Sequence, residues 1–160
     1  MTVVYLGLGS NLGDRSRHLA EARRLLAARG AALRRASQVR ETEPYGVTDQ
    51  PRFLNQVLEV EWDGSPRNLL TTAKAIEREL GRTPTFRWGP RVIDIDILLF
   101  GEETVREPDL IIPHPGLRRP FVRVGLQELR PDLAEPDPPL PPGRSVPIAS
   151  GGRPTGRGGR

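Results

Sequence analysis

Asp94 and Asp96 stand two residues apart in the stretch RWGPRVIDIDIL, residues 87–98, whose second half alternates apolar and acidic side chains. A strand with that alternation turns Ile93, Ile95 and Ile97 to one face and both carboxylates to the other. Residues so spaced lie about 6.6–6.8 Å apart along the strand, so their carboxylates can converge on one or two hard cations and repel each other without them. Taken alone, D-I-D reads more readily as the solvated face of an amphipathic strand. Its neighbours favour chemistry. Gly89-Pro90 turns the chain so that Arg91 comes beside the acidic face, with Trp88 and Arg87 just upstream. Cations for phosphate oxygens, carboxylates for Mg²⁺ and an aromatic plane for a base are the parts of a nucleoside-triphosphate site.

Other side chains could take part. His114 sits between two prolines, whose rigid rings fix its direction and leave it outside any regular ladder, so a phosphate or base contact competes with a structural role. Asn55 is an amide on an apolar strand and needs hydrogen-bond partners, which a heterocycle with adjacent donors and acceptors would supply. By spacing alone Phe53 and Phe121 read as core. GLGSNLGD, residues 7–14, has a glycine-rich turn between strand and helix but no GK[ST] ending and no G-x-G-x-x-G spacing. A tight turn with positive φ at Gly9 or Gly13 explains it more simply. No protein nucleophile is apparent, so the chemistry expected is direct transfer between two bound substrates that the protein positions and whose charge it neutralises.

The elements that must hold these groups follow from periodicity. Val3 to Leu8 reads as a buried strand, and Arg15 to Arg29 as a helix with Leu19, Ala22, Leu25 and Leu26 on its core face, capped by Asp14 or Asn11 and stopped at Gly30. Ala32 to Arg40 is a weak strand and Phe53 to Trp62 a half-buried one, with Phe53, Asn55, Val57, Glu59 and Glu61 on one side. Ser65-Pro66 opens a second helix running to Gly81. Arg91 to Phe100 is the carboxylate-bearing strand, Leu110 to Ile112 a short extended piece, and Arg118 to Leu129 a third helix. The order β-α-β-β-α-β predicts an α+β, ferredoxin-like two-layer sandwich with helices on one face of an antiparallel sheet.

Composition narrows the class. With 160 residues the chain holds one core, expected over 1–133, with a Pro/Gly/Arg-rich tail over 134–160 that is largely irregular. Without cysteine it has no disulfides, thiolate nucleophile or zinc–thiolate site. Of 24 Lys and Arg residues only Lys74 is lysine, and the net charge is +4, which favours a polyanionic partner. MTVVYLGLGS has neither a basic start nor a long apolar run, and no window is long enough to span a membrane, so a cytoplasmic monomer with no membrane partner is expected.

Together these motifs resemble the 6-hydroxymethyl-7,8-dihydropterin pyrophosphokinase family of folate biosynthesis. The likeness runs to about Asp132 through GLGSNLGD, T-x-P-x-G at 42–46, DQPRFLNQV, IERELGR, RWGPRVIDIDIL and IPHPGL. It implies an ATP-dependent diphosphokinase (a transferase) that moves the β,γ-diphosphate of ATP to the pterin hydroxymethyl oxygen and releases AMP. By the same resemblance, Asp94 and Asp96 hold two Mg²⁺ ions, and Arg82 and Arg91 act on the phosphates. Thr42, Tyr45, Phe53, Asn55, Asp94 and Phe121 bind the pterin. Lys74, Glu77, Arg82, Arg87, Trp88, Arg91, Ile97, His114 and Arg119 line the nucleotide site. Residues 43–51 and 83–90 correspond to loops that order around the substrates. The competing reading from another class is an RNA-binding ferredoxin-like module, supported by the pI of about 10.5 and the Arg/Gly tail. Such a module should carry RNP-type aromatics on its sheet, which this sequence does not have, so no nucleic-acid partner is expected.

Overall fold

The protein is described here by a computed structural model covering residues 1–44, 49–81 and 92–133. The expected tail, 134–160, and loop residues 45–48 and 82–91 lie outside these. The central strand β1 (Thr2–Ser10) alternates between two environments. Val4, Leu6 and Leu8 face the main core, while Tyr5 faces a second, smaller cluster. Helix α1 (Arg15–Ala28) follows, its first turn capped by the Asp14 carboxylate, which accepts the Arg17 N–H. That resolves the choice between Asp14 and Asn11 as the cap. Gly30, at φ +103°, lets the chain turn back after the helix.

A single weak strand was expected over 32–40, but two short ones form, β2 (Ala32–Ala36) and β3 (Arg40–Thr42). The break falls at Ser37, which donates its N–H to the Val57 carbonyl while its hydroxyl accepts the Val57 N–H. Both pieces pair with β4 (Phe53–Trp62). Helix α2 (Pro66–Glu79) is capped by Ser65, whose hydroxyl accepts the Asn68 N–H, and has proline in its first turn. Then come β5 (Asp94–Phe100), a hairpin of β6 (Val105–Glu107) and β7 (Leu110–Ile112), and α3 (Pro120–Leu129). Only the β7 segment of the hairpin was foreseen.

The main sheet is antiparallel in every pairing and ordered β2-β4-β1-β5, with β3 also on β4. Leu19, Ala22 and Leu26 of α1 and Leu69, Ala73 and Ile76 of α2 cover one face, against Leu6, Leu58, Val60, Ile95 and Ile97. Helix α3, which follows the βαββαβ order, packs on the other face because Leu126 and Leu129 find an apolar patch of Tyr5, Val57 and Leu98 there. Gly125 makes that approach possible, since a Cβ would lie 2.6 Å from Val57 Cγ2. No helix among the described residues is long and apolar enough to cross a membrane. The face shared with α3 is only partly covered, and its open end carries the residues singled out by their chemistry.

Candidate active site

Strand register aligns the site. Asn55 of β4, Gly9 of β1 and Asp94 of β5 are cross-strand neighbours, and so are Val57, Gly7 and Asp96. All six lie on the face opposite α1 and α2. With glycine in the middle of both rows, the sheet has a flat floor between the Asn55 amide and the two carboxylates. A Cβ on Gly9 would come within 3.3 Å of Asn55 Oδ1 and 3.4 Å of Phe53 Cδ1. Gly9 is therefore a matter of space. Gly13, at φ +67°, is the position in this stretch that needs glycine for its backbone.

Thr42 pairs with Phe53 across β3 and β4, and its hydroxyl accepts a hydrogen bond from Asn55 Nδ2. Arg119 and Phe121 come from the start of α3. Together with Gly7, Gly9, Asp94 and Asp96 these residues line one cavity: a flat floor, two phenylalanines, an amide–hydroxyl edge and a pair of carboxylates. A planar, polar-edged heterocycle matches that lining.

A second cavity lies at the outer edge of β5, lined by Leu70 and Lys74 of α2, Ile97, Asp109 and Ile111, and His114. Asp96 lines both cavities. Its Oδ1 is 3.6 Å from His114 Nε2. His114 Nδ1 accepts the Gly116 N–H at 2.9 Å, so the neutral ring carries its proton on Nε2, the atom facing Asp96. His114 is itself tied to β5 by its N–H to the Leu98 carbonyl.

Glu77 sits behind this edge, 1% exposed. One carboxylate oxygen accepts the Ile95 N–H at 2.8 Å, and the other is 3.5 Å from Lys74 Nζ. Because β5 ends the sheet, the outward N–H between the two aspartates has no strand to meet, and the glutamate supplies the acceptor. The half-exposed Lys74 brings a cation toward the second cavity.

The structure thus brings Thr42, Phe53, Asn55, Asp94, Asp96, Arg119 and Phe121 to one cavity and Lys74, Asp96, Ile97 and His114 to its neighbour, with Glu77 behind β5. Tyr45, Arg82, Arg87, Trp88 and Arg91 lie outside the described residues. Gly7 and Gly9 were missed as site residues. Their signal was present, since two glycines alternate with buried leucines at a strand's period of two.

Among the described residues no three acidic or histidine side chains gather around one point. The donor set is the pair Asp94 and Asp96, at the junction of the cavities. Mg²⁺ is commonly held by one or two carboxylates, with substrate phosphates and water completing its shell, so the pair fits that ion.

Comparison with known proteins gives this arrangement a family. Residues 5–131 match the family described as 7,8-dihydro-6-hydroxymethylpterin-pyrophosphokinase. A 2-amino-4-hydroxy-6-hydroxymethyldihydropteridine pyrophosphokinase of Bacillus subtilis is 43% identical over 129 residues, covering 79% of this chain and 77% of the relative. Proteins with the same name from Methylorubrum extorquens and Aquifex aeolicus are 45% and 42% identical, covering 83% and 85% of this chain and 85% of each relative. The matched span begins in β1 and closes just past α3, taking in both cavities and the carboxylates between them, and the chain belongs to the 7,8-dihydro-6-hydroxymethylpterin-pyrophosphokinase family.

Proposed function

We propose that the protein transfers the diphosphate of ATP to 6-hydroxymethyl-7,8-dihydropterin in folate biosynthesis, giving the pterin diphosphate and AMP. The observation that carries this reading is the shared wall: a cavity suited to a flat heterocycle and a second one meet at Asp96. Direct transfer requires that arrangement, since acceptor and donor must approach from opposite sides of the group that moves. The hydroxymethyl oxygen attacks the β-phosphorus, the bond from that phosphorus to the α,β-bridging oxygen breaks, the hydroxyl proton leaves, and AMP departs.

On this reading Phe53 and Phe121 stack on the pterin over the Gly7–Gly9 floor, and the Asn55 and Thr42 edge, with Tyr45, meets its donors and acceptors. Asp94 and Asp96 would hold two Mg²⁺ ions. Bound there, the ions supply charge neutralisation to the phosphates. Arg82 and Arg91 bind the phosphates and stabilise charge as it redistributes, while Lys74, Arg87, Trp88, Ile97 and His114 form the nucleotide side, and Arg119 meets the nucleotide from the wall of the flat-floored cavity that it lines. Glu77 supports that side from beneath, holding Ile95.

The strand order β2-β4-β1-β5, with α1 and α2 each crossing over one intervening strand, supports a ferredoxin-like core. Residues 1–133 would form the catalytic domain, acting as a cytoplasmic monomer. Incubation with ATP, Mg²⁺ and 6-hydroxymethyl-7,8-dihydropterin, with chromatographic separation of AMP from ADP, tests the function. Pterin-dependent AMP is expected, and ADP or no turnover would overturn the assignment.

A further inference from the structure

Two side chains, Asn11 in the turn after β1 and Arg15 at the start of α1, grip the segment that leads into β4. Asn11 is 1% exposed, and its Nδ2 donates to both Gln50 Oε1 and the Pro51 carbonyl, each at 2.9 Å. Arg15 donates from Nη1 to the Arg52 carbonyl at 2.8 Å and pairs, also at 2.8 Å, with Glu41 of β3. Three successive residues just before Phe53 are therefore held from the junction of β1 and α1. The same guanidinium ties down β3, which carries Thr42. Neither residue caps α1, since Asp14 does that. Residues 49–52 belong to no strand or helix, so ladder hydrogen bonds do not hold the Pro51 and Arg52 carbonyls in place.

We infer that Asn11 and Arg15 are positioning residues for the acceptor side of the site. By fixing Gln50 to Arg52 against β1 and β3, they set where the Phe53 ring and the Asn55 amide lie over Gly9. The inference rests on the reading that this cavity takes the pterin. It assigns a role to the SNLGDR stretch other than phosphate binding, and the role is selective. The second cavity is built from α2, β5, β7 and the His114 turn, and these bonds touch none of those elements. Loosening the brace should therefore be felt by one substrate and not the other.

Asn11→Asp keeps the side chain's shape but removes the amide donor and turns a carboxylate toward the Pro51 carbonyl. Arg15→Ala removes a side chain only 29% exposed in a salt bridge at the helix start, and Arg15→Lys keeps its charge. Steady-state kinetics of the full chain, varying each substrate in turn, would be read beside amide hydrogen exchange over residues 49–55. For Asn11→Asp and Arg15→Ala, kcat/KM for the pterin should fall roughly tenfold or more, with KM for ATP within about twofold of the parent. Exchange over 50–54 should quicken, and Arg15→Lys should recover part of both effects. Folded variants with unchanged pterin kcat/KM would overturn the inference, and so would equal losses for both substrates. If the parent makes no pterin-dependent AMP, the function fails separately, and hydrogen exchange then decides the brace: faster exchange upholds it, unchanged exchange removes it.

Discussion

Asp96 has two neighbourhoods, the glycine-floored cavity on one side and the Lys74–His114 cavity on the other. Its side chain is 41% exposed and adds little to the core, so its substitution separates chemistry from folding. Asp96→Ala is expected to cut AMP formation by orders of magnitude while moving stability by no more than about 0.5 kcal/mol. Turnover assays beside thermal melts check both halves, and near-normal turnover by a folded variant would remove the carboxylate from the machinery. At this scale the sequence was readable where residue type and spacing act together. The alternation of Asp94 and Asp96 with isoleucines announced both the strand and the face on which its two carboxylates line a cavity. Glu77 was harder to read. It lies on the helical stripe of Leu69, Ala73, Ile76 and Leu80, which predicts burial, yet nothing local says that its partner is a backbone N–H on a strand beyond the next loop.

At the scale of elements, β1 sets the site by what it leaves out. Gly7 and Gly9 read as punctuation in the sequence, because glycine between a strand and a helix usually marks a turn. Their place in the middle of the sheet depends on β4 and β5 pairing on either side, a long-range fact that no local pattern carries. Gly9→Ala tests the floor. Its backbone lies in ordinary strand conformation, where alanine is more favourable than glycine by about 0.5–1 kcal/mol, so the fold should survive. The added methyl would meet Asn55 Oδ1 and Phe53 Cδ1 at 3.3 and 3.4 Å. A pterin stacked above it must rise or tilt, and its affinity should fall roughly tenfold or more while ATP binding is unchanged. Titration of each ligand separately checks this, and unaltered pterin affinity would mean the ring does not rest on β1.

In the whole molecule, the two faces of one sheet do different work. The first is buried by α1 and α2 along β1, β4 and β5, and periodicity revealed it because leucines, isoleucines and valines repeat in both strands and helices. The second was hidden because polar residues interrupt it. β4 places Asn55, Val57 and Glu59 there, a pattern that reads as solvent-facing and gave no reason to expect the third helix on this face. Glu59 is nevertheless only 3% exposed, since Tyr5 donates its hydroxyl to Oε1 at 2.8 Å and Arg34 and Arg35 pair with the carboxylate at 3.2 and 2.7 Å. Burial alone would raise its pKa, but the hydrogen bonds from Arg35 and Tyr5 outweigh it and hold the carboxyl below its usual range. Arg35 also reaches the Leu129 carbonyl, so this network joins β2 to the end of α3. A group whose pKa is depressed by folding stabilises the fold fully above its unfolded pKa, about 4.3 for Glu, and that contribution disappears as pH falls through the lower folded value. Tyr5→Phe, which removes one donor and keeps the ring, should therefore cost about 1.5 kcal/mol at neutral pH. The difference from the parent should shrink as Glu59 protonates. Denaturant unfolding at neutral and acidic pH would measure it, and a difference that stays constant or grows on acidification would mean that Glu59 does not hold α3's face of the sheet through its charge.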